Sequence, residues 1–334
     1  MTTKARARFW AVLLAGLLGW TQPATATNLL SANGYEWDIS TSNGYVNDGG
    51  DDAFDGYGEL SLRIMDLSLS ILGENSYVSG FNLTLDGRTY VSSFTPLYSG
   101  VSVNRTIYAP ADQNYLRYYD TFTNTTGAPL ILTTIFGGNL GSDSDTTLSR
   151  TSSGDSTLTL GDHWAITIEN GLLNPAGPAE NDPVVGVLFG NTSVLQGFAS
   201  DEDGNVFTNN WVPFTGVSPD IYGDDGLSYR FQFTLQPGQT SALMYFLYRG
   251  QAEVNADNPL SQYGGYGDGL LAPGQIDLAT TVLSNLSVTP NYDGLSQLQI
   301  DQIINLTPVP EPSTWVMMLG GVAVVAVYLR RWRA

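Results

Sequence analysis

Carboxylates gathered in a few short loops are the side chains of this chain that are best suited to chemistry. The densest stretch, NDGGDDAFDGYGE, mixes acidic residues with glycines. Calcium needs several hard oxygen ligands on a flexible loop, and this composition supplies both. A second stretch, DEDGNV, places two carboxylates and an amide at alternate positions. The sequence therefore predicts two candidate calcium loops, with ligands Asp48, Asp51, Asp52 and Asp55 in the first and Asp201, Asp203 and Asn205 in the second.

Each loop also has a purely structural interpretation. Exposed loops of aspartate and glycine commonly connect strands, and the first stretch does not have the spacing of an EF-hand. The second resembles the start of one, but Val206 stands where the chain needs glycine and Val212 where it needs a bidentate glutamate. A hairpin turn at residues 203–205 explains the second stretch better, and calcium binding stays the alternative.

Nucleophilic and zinc-dependent catalysis have few residues to use in this chain. It contains no cysteine and a single histidine, His163, which excludes thiolate sites and multi-histidine zinc sites within the chain. Asp162 precedes His163, but neighbouring residues of a strand point to opposite faces, so we expect a structural histidine. Paired carboxylates could hydrolyse glycosides, although 32 acidic residues make a chance pair common. We therefore expect a protein without enzymatic activity, and a polysaccharide-active enzyme with paired carboxylates is the alternative.

The charge distribution argues against a nucleic-acid partner. The formal net charge is −19, and six of the 13 basic residues lie at the two ends of the 334-residue chain. Between those ends there is no lysine and there are seven arginines. Such a body repels phosphates and attracts cations. Its abundant aromatic residues would pack in a core or stack on sugar rings, and those of interest are Tyr115, Tyr118, Tyr119, Trp164, Trp211, Tyr263 and Tyr266.

Alternating apolar residues indicate that the body, residues 27–255, is built from strands. In FNLTLDGRTYV two alternating runs flank Asp86 and Gly87, a pair suited to a tight hairpin turn. In GELSLRIMDLSLSIL the alternation changes phase near Met65 and Asp66, which predicts a bulge or a turn. No helical periodicity precedes residue 270. We predict an all-β fold, an antiparallel β-sandwich of one large or two fused units.

Two longer segments each contain two strands and a polar turn. They are YLRYYDTFTNTTGAPLILTTIFGG and LSYRFQFTLQPGQTSALMYFLYRG, with turns at residues 124–127 and 237–238. We predict that each folds as an antiparallel hairpin with one buried face. Both segments resemble strand-turn-strand pieces of bacterial secreted sandwich modules, and this local resemblance implies the same fold class.

Residues 256–306 change character to a glycine-rich loop followed by one or two short helices. QIDLATTVLSNL and GLSQLQIDQIINL have helical spacing. Ser296 and Gln299 fit a capping box, and Leu298, Ile300, Ile303 and Ile304 are predicted to form an apolar stripe packed on the sandwich.

The amino-terminal residues have the three parts of a secretory signal. A basic start is followed by an apolar stretch from Phe9 to Trp20 and by small residues at Ala24 and Ala26. We predict a signal peptide over residues 1–26, cleaved by signal peptidase after Ala26. An uncleaved anchor is the alternative, although the apolar stretch is shorter than the roughly 20 residues that span a bilayer.

The carboxyl-terminal residues 307–334 combine a proline-rich segment, an apolar run and a basic tail. The run at residues 315–329 predicts a short transmembrane helix, about 22 Å long against a hydrocarbon core of about 30 Å. Interfacial tryptophans and arginines at its ends can make up the difference. The basic tail, which the positive-inside rule places in the cytoplasm, consists of Arg330, Arg331 and Arg333.

This tail resembles a PEP-CTERM sorting signal. The characteristic segment is Val309-Pro310-Glu311-Pro312-Ser313, followed at once by the short apolar run and the terminal arginines. The resemblance implies handling by an exosortase-type transpeptidase in the envelope of a Gram-negative bacterium that makes extracellular polysaccharide. The helix would then be a temporary anchor, processed near the two prolines. An ordinary single-pass anchor with a proline-rich stalk is the alternative.

These observations predict an exported, surface-sorted protein of the extracellular matrix that binds polysaccharide or cations without catalysis. Two other classes of protein stay open: a secreted enzyme that uses paired carboxylates, and a purely structural matrix protein.

Overall fold

The computed structural model describes residues 29–32, 34, 36–47, 53–142, 146–169, 183–190, 192–199, 226–251 and 272–306. In these residues the chain forms antiparallel strands and two short helices, α1 (Ala272–Val288) and α2 (Gln297–Asp301). The strands are β1 (Leu29–Leu30), β2 (Glu36–Ile39), β3 (Val46–Asn47), β4 (Glu59–Met65), β5 (Ile71–Asn75), β6 (Leu83–Asp86), β7 (Thr89–Ser92), β8 (Leu97–Tyr98), β9 (Val101–Tyr108), β10 (Tyr115–Asn124), β11 (Leu130–Gly137), β12 (Thr146–Thr151), β13 (Trp164–Glu169), β14 (Val185–Leu188), β15 (Leu195–Ala199), β16 (Ser228–Leu235) and β17 (Thr240–Arg249).

The strands form two large sheets and one small one. The nine-stranded sheet has the order β12-β13-β14-β17-β10-β9-β7-β6, with β8 paired to β9. The five-stranded sheet has the order β15-β16-β11-β4-β5, and β1, β2 and β3 form the three-stranded sheet. The all-β class and the antiparallel sandwich with short carboxyl-terminal helices are confirmed. The predicted signal peptide and the helix at residues 315–329 lie outside the described residues.

Aromatic side chains join the two large sheets face to face. The rings of Phe136 on β11 and Tyr245 on β17 are stacked with centroids 3.9 Å apart. Phe122 on β10 meets Phe233 on β16 edge to face at 5.8 Å. Such contacts across about 10 Å between sheets define the core of a β-sandwich.

The central strand β10 is buried on both faces. Leu116, Tyr118 and Phe122 belong to the core between the two sheets. Tyr115 and Tyr119 point the other way, into a second apolar cluster that α1 covers. Because a strand alternates its side chains, a strand buried on both faces loses the alternation of polar and apolar residues.

Helix α1 packs on the outer face of the nine-stranded sheet. Its buried residues Ile276, Ala279, Leu283 and Leu286 recur every three or four positions and so lie on one side of the helix. Gly186 on β14 permits the close approach, since a Cβ there would lie 2.6 Å from the Leu283 Cδ1 atom. The other face of the sandwich, the outer face of the five-stranded sheet, has no helix on it among the described residues.

The prediction that the two long strand-turn-strand segments are hairpins is wrong. Strand β10 pairs with β9 and β17, whereas β11 pairs with β4 and β16. Each segment therefore crosses from one sheet to the other as an arch. Alternation within a strand reports which face is buried, but the same pattern serves a hairpin and an arch.

Asn124, which is fully buried at the end of β10, holds the two arches together. Its Nδ2 atom donates to the carbonyls of Ala128 at 2.8 Å and Leu235 at 3.0 Å. Its Oδ1 atom accepts from the backbone N–H of Thr126 at 2.9 Å, and its own N–H donates to the Gln239 carbonyl at 3.0 Å. The polar turn predicted at residues 124–127 is thus present, and it caps a sheet crossing.

Two local turn predictions are confirmed. Strands β6 and β7 form a hairpin that closes at the pair Asp86 and Thr89, and Gly87 has a φ of +61°. Between β4 and β5 the register shifts at Ile64 and Met65. The chain then turns at Asp66, whose carboxylate accepts from two N–H groups within four residues. The phase change in the sequence therefore marks both a bulge and a turn.

The capping box of α2 is confirmed, whereas its predicted apolar stripe is wrong. Ser296 and Gln299 exchange hydrogen bonds between side chain and backbone. The helix ends at Asp301, however, and Ile303 forms a parallel bridge to Ala242 on β17. Leu298 is 68% exposed. The predicted stripe failed because its last residues leave the helix to extend the sheet.

Candidate functional site

A polar surface depression of about 380 Å³ lies where β4 begins and β11 ends. Two carboxylates line it, and none of its lining residues in the described part of the chain is basic. Its field is therefore negative, which favours cations and hydrogen-bond donors over anions. The lining residues are Tyr45, Asn47, Asp55, Gly56, Glu59, Tyr77 and Asn139. We call this the acidic depression.

Backbone contacts bring the two sides of the acidic depression together. The N–H of Asp55 donates to the Asn139 carbonyl at 3.3 Å. Gly138 has a φ of +138°, and a Cβ there would lie 2.5 Å from the Gly56 carbonyl oxygen. Only glycine fits this position, because both the backbone angle and the space exclude a side chain.

The acidic depression offers acceptors that suit a hydroxyl-bearing ligand. The Asn139 Oδ1 atom is buried and has no hydrogen-bond partner among the described residues. Buried polar atoms are normally paired, so an orphan acceptor at a surface site can take a hydrogen bond from a ligand. Tyr77 is 41% exposed and presents an aromatic ring beside these acceptors.

The candidate calcium ligands are only partly within the described residues. Asp55 is exposed and lines the acidic depression together with Glu59. The described residues contain no group of three or more acidic or histidine side chains that could hold a metal ion. The other predicted ligands, Asp48, Asp51, Asp52, Asp201, Asp203 and Asn205, lie outside the described residues, and calcium binding stays a prediction.

Asp162 supports a turn and does not orient His163. Its carboxylate accepts from the N–H groups of Ser153 at 2.9 Å and Thr159 at 2.8 Å, and from two nearby hydroxyls. Burial raises the pKa of Asp162, but these hydrogen bonds outweigh it and hold the pKa below its usual range. The carboxylate is therefore ionised, and both of its oxygens accept hydrogen bonds that stabilise the turn.

The aromatic residues considered for sugar stacking are largely core residues. Tyr115, Tyr118, Tyr119 and Trp164 are all at most 4% exposed. Burial raises the pKa of Tyr119 to about 12, partly offset by the positive charge of Arg117. Trp211, Tyr263 and Tyr266 lie outside the described residues.

Sequence reasoning missed a buried ion pair in the core. The guanidinium of Arg105 on β9 meets the carboxylate of Asp120 on β10 through two hydrogen bonds of 2.8 Å, with both side chains at 0% exposure. Arg105 also donates to the carbonyls of Asn43 and Gly58, and it lies 5.0 Å from the centroid of the Tyr118 ring. Burial lowers the pKa of Arg105, but Asp120 and the nearby Tyr118 and Tyr245 together raise it by more.

The described chain ends in a segment bound firmly to the sandwich. Asn305 is 1% exposed, and its side chain bonds the N–H and carbonyl of Met244 and the carbonyl of Phe189 at 2.8 to 2.9 Å. Leu306 is also buried. The sorting-signal residues begin directly after this point in the sequence. None of the described helices has the length and apolarity needed to cross a membrane.

The fold and the site define an acidic antiparallel β-sandwich with an open polar depression on its surface. The carboxyl-terminal residues indicate where the protein is sent, because a family model for the PEP-CTERM protein-sorting motif matches residues 308–333. The chain therefore carries a PEP-CTERM protein-sorting motif, which supports an exported protein sorted by an exosortase, and the resemblance seen at residues 309–313 is confirmed.

The other comparisons give limited similarity. No curated protein matches the sequence. A polysaccharide lyase is 14% identical over 70% of this chain and 31% of its own, with a TM-score of 0.34. The GH36 α-galactosidase AgaA of Geobacillus stearothermophilus is 10% identical over 57% of this chain and 30% of its own, with a TM-score of 0.32. The chain spans about a third of the length of these structures, and similarity at this level assigns no activity.

Proposed function

We propose that this protein is a non-catalytic polysaccharide-binding protein of the extracellular matrix, delivered by an exosortase. The acidic depression carries the proposal, because it combines open access, hydrogen-bonding groups and an exposed aromatic ring. A purely structural matrix protein would need no such site.

The sorting signal would keep the sandwich close to the membrane before processing. In this proposal residues 315–329 form a temporary membrane helix, and the exosortase cuts near Pro310, Glu311 and Pro312. Trp315 lies nine residues after Leu306, so the two are at most about 32 Å apart when the chain is fully extended. Since the prolines disfavour helix, the segment would offer extended chain to the enzyme.

The chemistry of the acidic depression suits neutral sugars. The carboxylates of Asp55 and Glu59 accept hydrogen bonds from hydroxyl groups, and the amides of Asn47 and Asn139 can both donate and accept. The Tyr77 ring supplies an apolar surface for the C–H face of a sugar. A polysaccharide would repeat these contacts along its length, so that weak single contacts add to useful affinity.

Calcium is a second candidate ligand for the same place. Residues 48–52, which follow β3 in the sequence and lie outside the described residues, contain three more aspartates. Hard oxygens from this loop together with Asp55 and Glu59 would suit Ca²⁺. Calcium could then bridge the acidic protein to a sugar or stabilise the loop.

A glycan array tests the proposal with full-length protein in non-ionic detergent. We expect neutral polysaccharide fragments to bind, and Y77A to weaken that binding about tenfold through loss of one stacking contact. The matched control is F94A, which removes another exposed aromatic ring outside the depression. Repeating the array with added calcium and with chelator separates direct sugar binding from binding through the metal.

Two results would contradict the proposal. If Y77A and E59Q bind every glycan as the wild type does, the acidic depression is not the binding site. If the wild type releases reducing sugar from a bound polysaccharide and E59Q does not, the protein is an enzyme with paired carboxylates.

A further inference from the structure

Five of the seven arginines in the body serve the fold. Arg88 donates to three backbone carbonyls, and Arg105 is paired with Asp120 in the core. Arg117 and Arg249 are buried and donate to the carbonyls of Asn291 and Glu36, and Arg150 binds Asp277 of α1. These contacts hold distant parts of the chain together, whereas Arg63 and Arg230 lie side by side at the surface.

The other two, Arg63 and Arg230, line one depression of about 340 Å³ on the outer face of the five-stranded sheet. Thr133, Gln196 and Gln232 supply further polar side chains, and two apolar residues complete the lining. Among the residues that the structure describes, no carboxylate lines it. We call this the basic depression. It is unexpected on a chain whose net charge is −19.

The strand register fixes the polar side chains of the basic depression in a row. Thr133 on β11 lies opposite Arg63 on β4 and opposite Gln232 on β16. Gln232 donates from Nε2 to the Thr133 hydroxyl at 3.1 Å. Three adjacent strands therefore present a row about 10 Å long at the usual strand spacing. Rigid sheet positions place binding groups more precisely than loops do.

The two guanidinium groups are close enough to repel each other. Burial lowers the pKa of Arg230, and the positive charge of Arg63 lowers it further. Glu74 offsets part of this charge through an ion pair with Arg63 at 2.7 Å, which is partly exposed to solvent. An anion bound in the basic depression would lie near both positive charges. Guanidinium forks match the geometry of carboxylates particularly well.

We propose that the basic depression binds the carboxylate groups of an acidic polysaccharide. A single carboxylate at a partly exposed arginine gains little free energy. A polymer that carries many carboxylates can bind both arginines at once, which strengthens the weak single contacts, and an extended polymer fits an open row on a sheet better than it fits a closed pocket. This site differs from the acidic depression in place and in charge, and it would let one matrix protein contact both neutral and acidic chains.

Isothermal titration of the full-length protein in non-ionic detergent, with polygalacturonate fragments as the probe, tests this inference. We expect R63Q and R230Q each to weaken binding roughly tenfold and the double variant to abolish it. The variant R63K/R230K keeps the charge without the fork and should bind with intermediate affinity. The matched control R150Q removes a surface arginine elsewhere and should bind as the wild type does.

Three results would overturn the inference. They are wild-type affinity in the double variant, an equal loss in R150Q, and tighter binding of a DNA fragment of similar charge. Binding of neutral glycans distinguishes a failure of this inference from a failure of the proposed function. The double arginine variant should still bind them, and Y77A should still bind polygalacturonate, so failure at one depression leaves the other testable.

Discussion

At the scale of single residues, Asp120 and Arg105 form an ion pair that is completely buried in the core. The two charges compensate each other, and Arg105 also donates to two backbone carbonyls and lies over the Tyr118 ring. Removing one partner from such a pair leaves an uncompensated charge in a low dielectric. The pair also joins the neighbouring strands β9 and β10 directly, at the register position Asp120 to Arg105.

We predict that D120N lowers the free energy of unfolding by about 3–5 kcal/mol. The variant keeps the shape of the side chain and loses its charge, so Arg105 stays buried without a counter-ion. Urea unfolding measures the change. The double variant R105M/D120L removes both charges and should recover most of the loss. A D120N protein within about 1 kcal/mol of the wild type would show that the pair is not needed.

We predict that the contribution of Asp162 to stability depends on pH. Its pKa is lower in the folded than in the unfolded protein, so the stabilisation is fully present above the unfolded value near 4. It is lost as the pH falls through the folded value. D162N should therefore cost about 2–3 kcal/mol at pH 7 and much less at pH 3. Thermal unfolding at both pH values measures this difference.

Asp155 provides the matched control for Asp162. It lies in the same turn and is exposed, and it accepts from the N–H of Thr157. D155N should cost less than D162N at pH 7. An equal cost for D162N at both pH values would mean that the charge of Asp162 is not what stabilises the turn.

The core ion pair could have been found from the sequence. Val101, Val103 and Ile107 alternate along β9, and Arg105 occupies the same phase. Asp120 likewise falls in the phase of the buried apolar residues of β10. One charge of each sign on the apolar face of two strands is a signal for a buried pair. The acidic stretch around Asp55 signalled one side of the acidic depression, but the other lining residues of both depressions come from strands and loops far apart in the sequence.

At the scale of elements, the two arches determine how the sandwich is connected. Strands β10 and β11 lie in different sheets, as do β16 and β17, and each strand pairs with its counterpart from the other arch. The two turns therefore lie side by side, and Asn124 bonds across them. The arches bring the two halves of the chain together across more than 100 residues.

We predict that N124A lowers the free energy of unfolding by about 2–4 kcal/mol, because it leaves buried carbonyls without donors. N124D keeps the oxygen that accepts from Thr126 and loses the amide that donates to Ala128 and Leu235. It should also be destabilised, and more so than a T126A variant that removes one hydroxyl of the turn. Chemical unfolding compares the three, and a stable N124D would contradict this account of the arches.

Local elements were easier to predict than their partners. The Asp86-Gly87 hairpin and the Ser296 capping box depend on residues close in sequence, so their patterns were sufficient. The partner of β10 depends on how two sheets stack, which alternation does not encode. The predicted stripe was wrong for a similar reason. Ile303 lies beyond the end of the helix and forms a bridge to Ala242 of the sheet.

At the scale of the whole molecule, two depressions of opposite charge occupy a sandwich that is sent out of the cell. The acidic depression suits hydroxyl groups and cations, and the basic depression suits carboxylates. The sorting motif begins two residues after Leu306, which is buried against the sheet. Residues 302–306, which are bound to the sandwich, therefore come just before the motif in the sequence.

Sorting through the motif is tested most directly by cell fractionation with immunoblotting of the wild type and of P310A/E311A/P312A, with T307A as a control outside the matched motif. We predict that the wild type and T307A are processed to a shorter form outside the inner membrane. The triple variant should accumulate in the inner membrane at the length left after signal-peptide removal. Identical processing and location of all three proteins would contradict sorting through this motif.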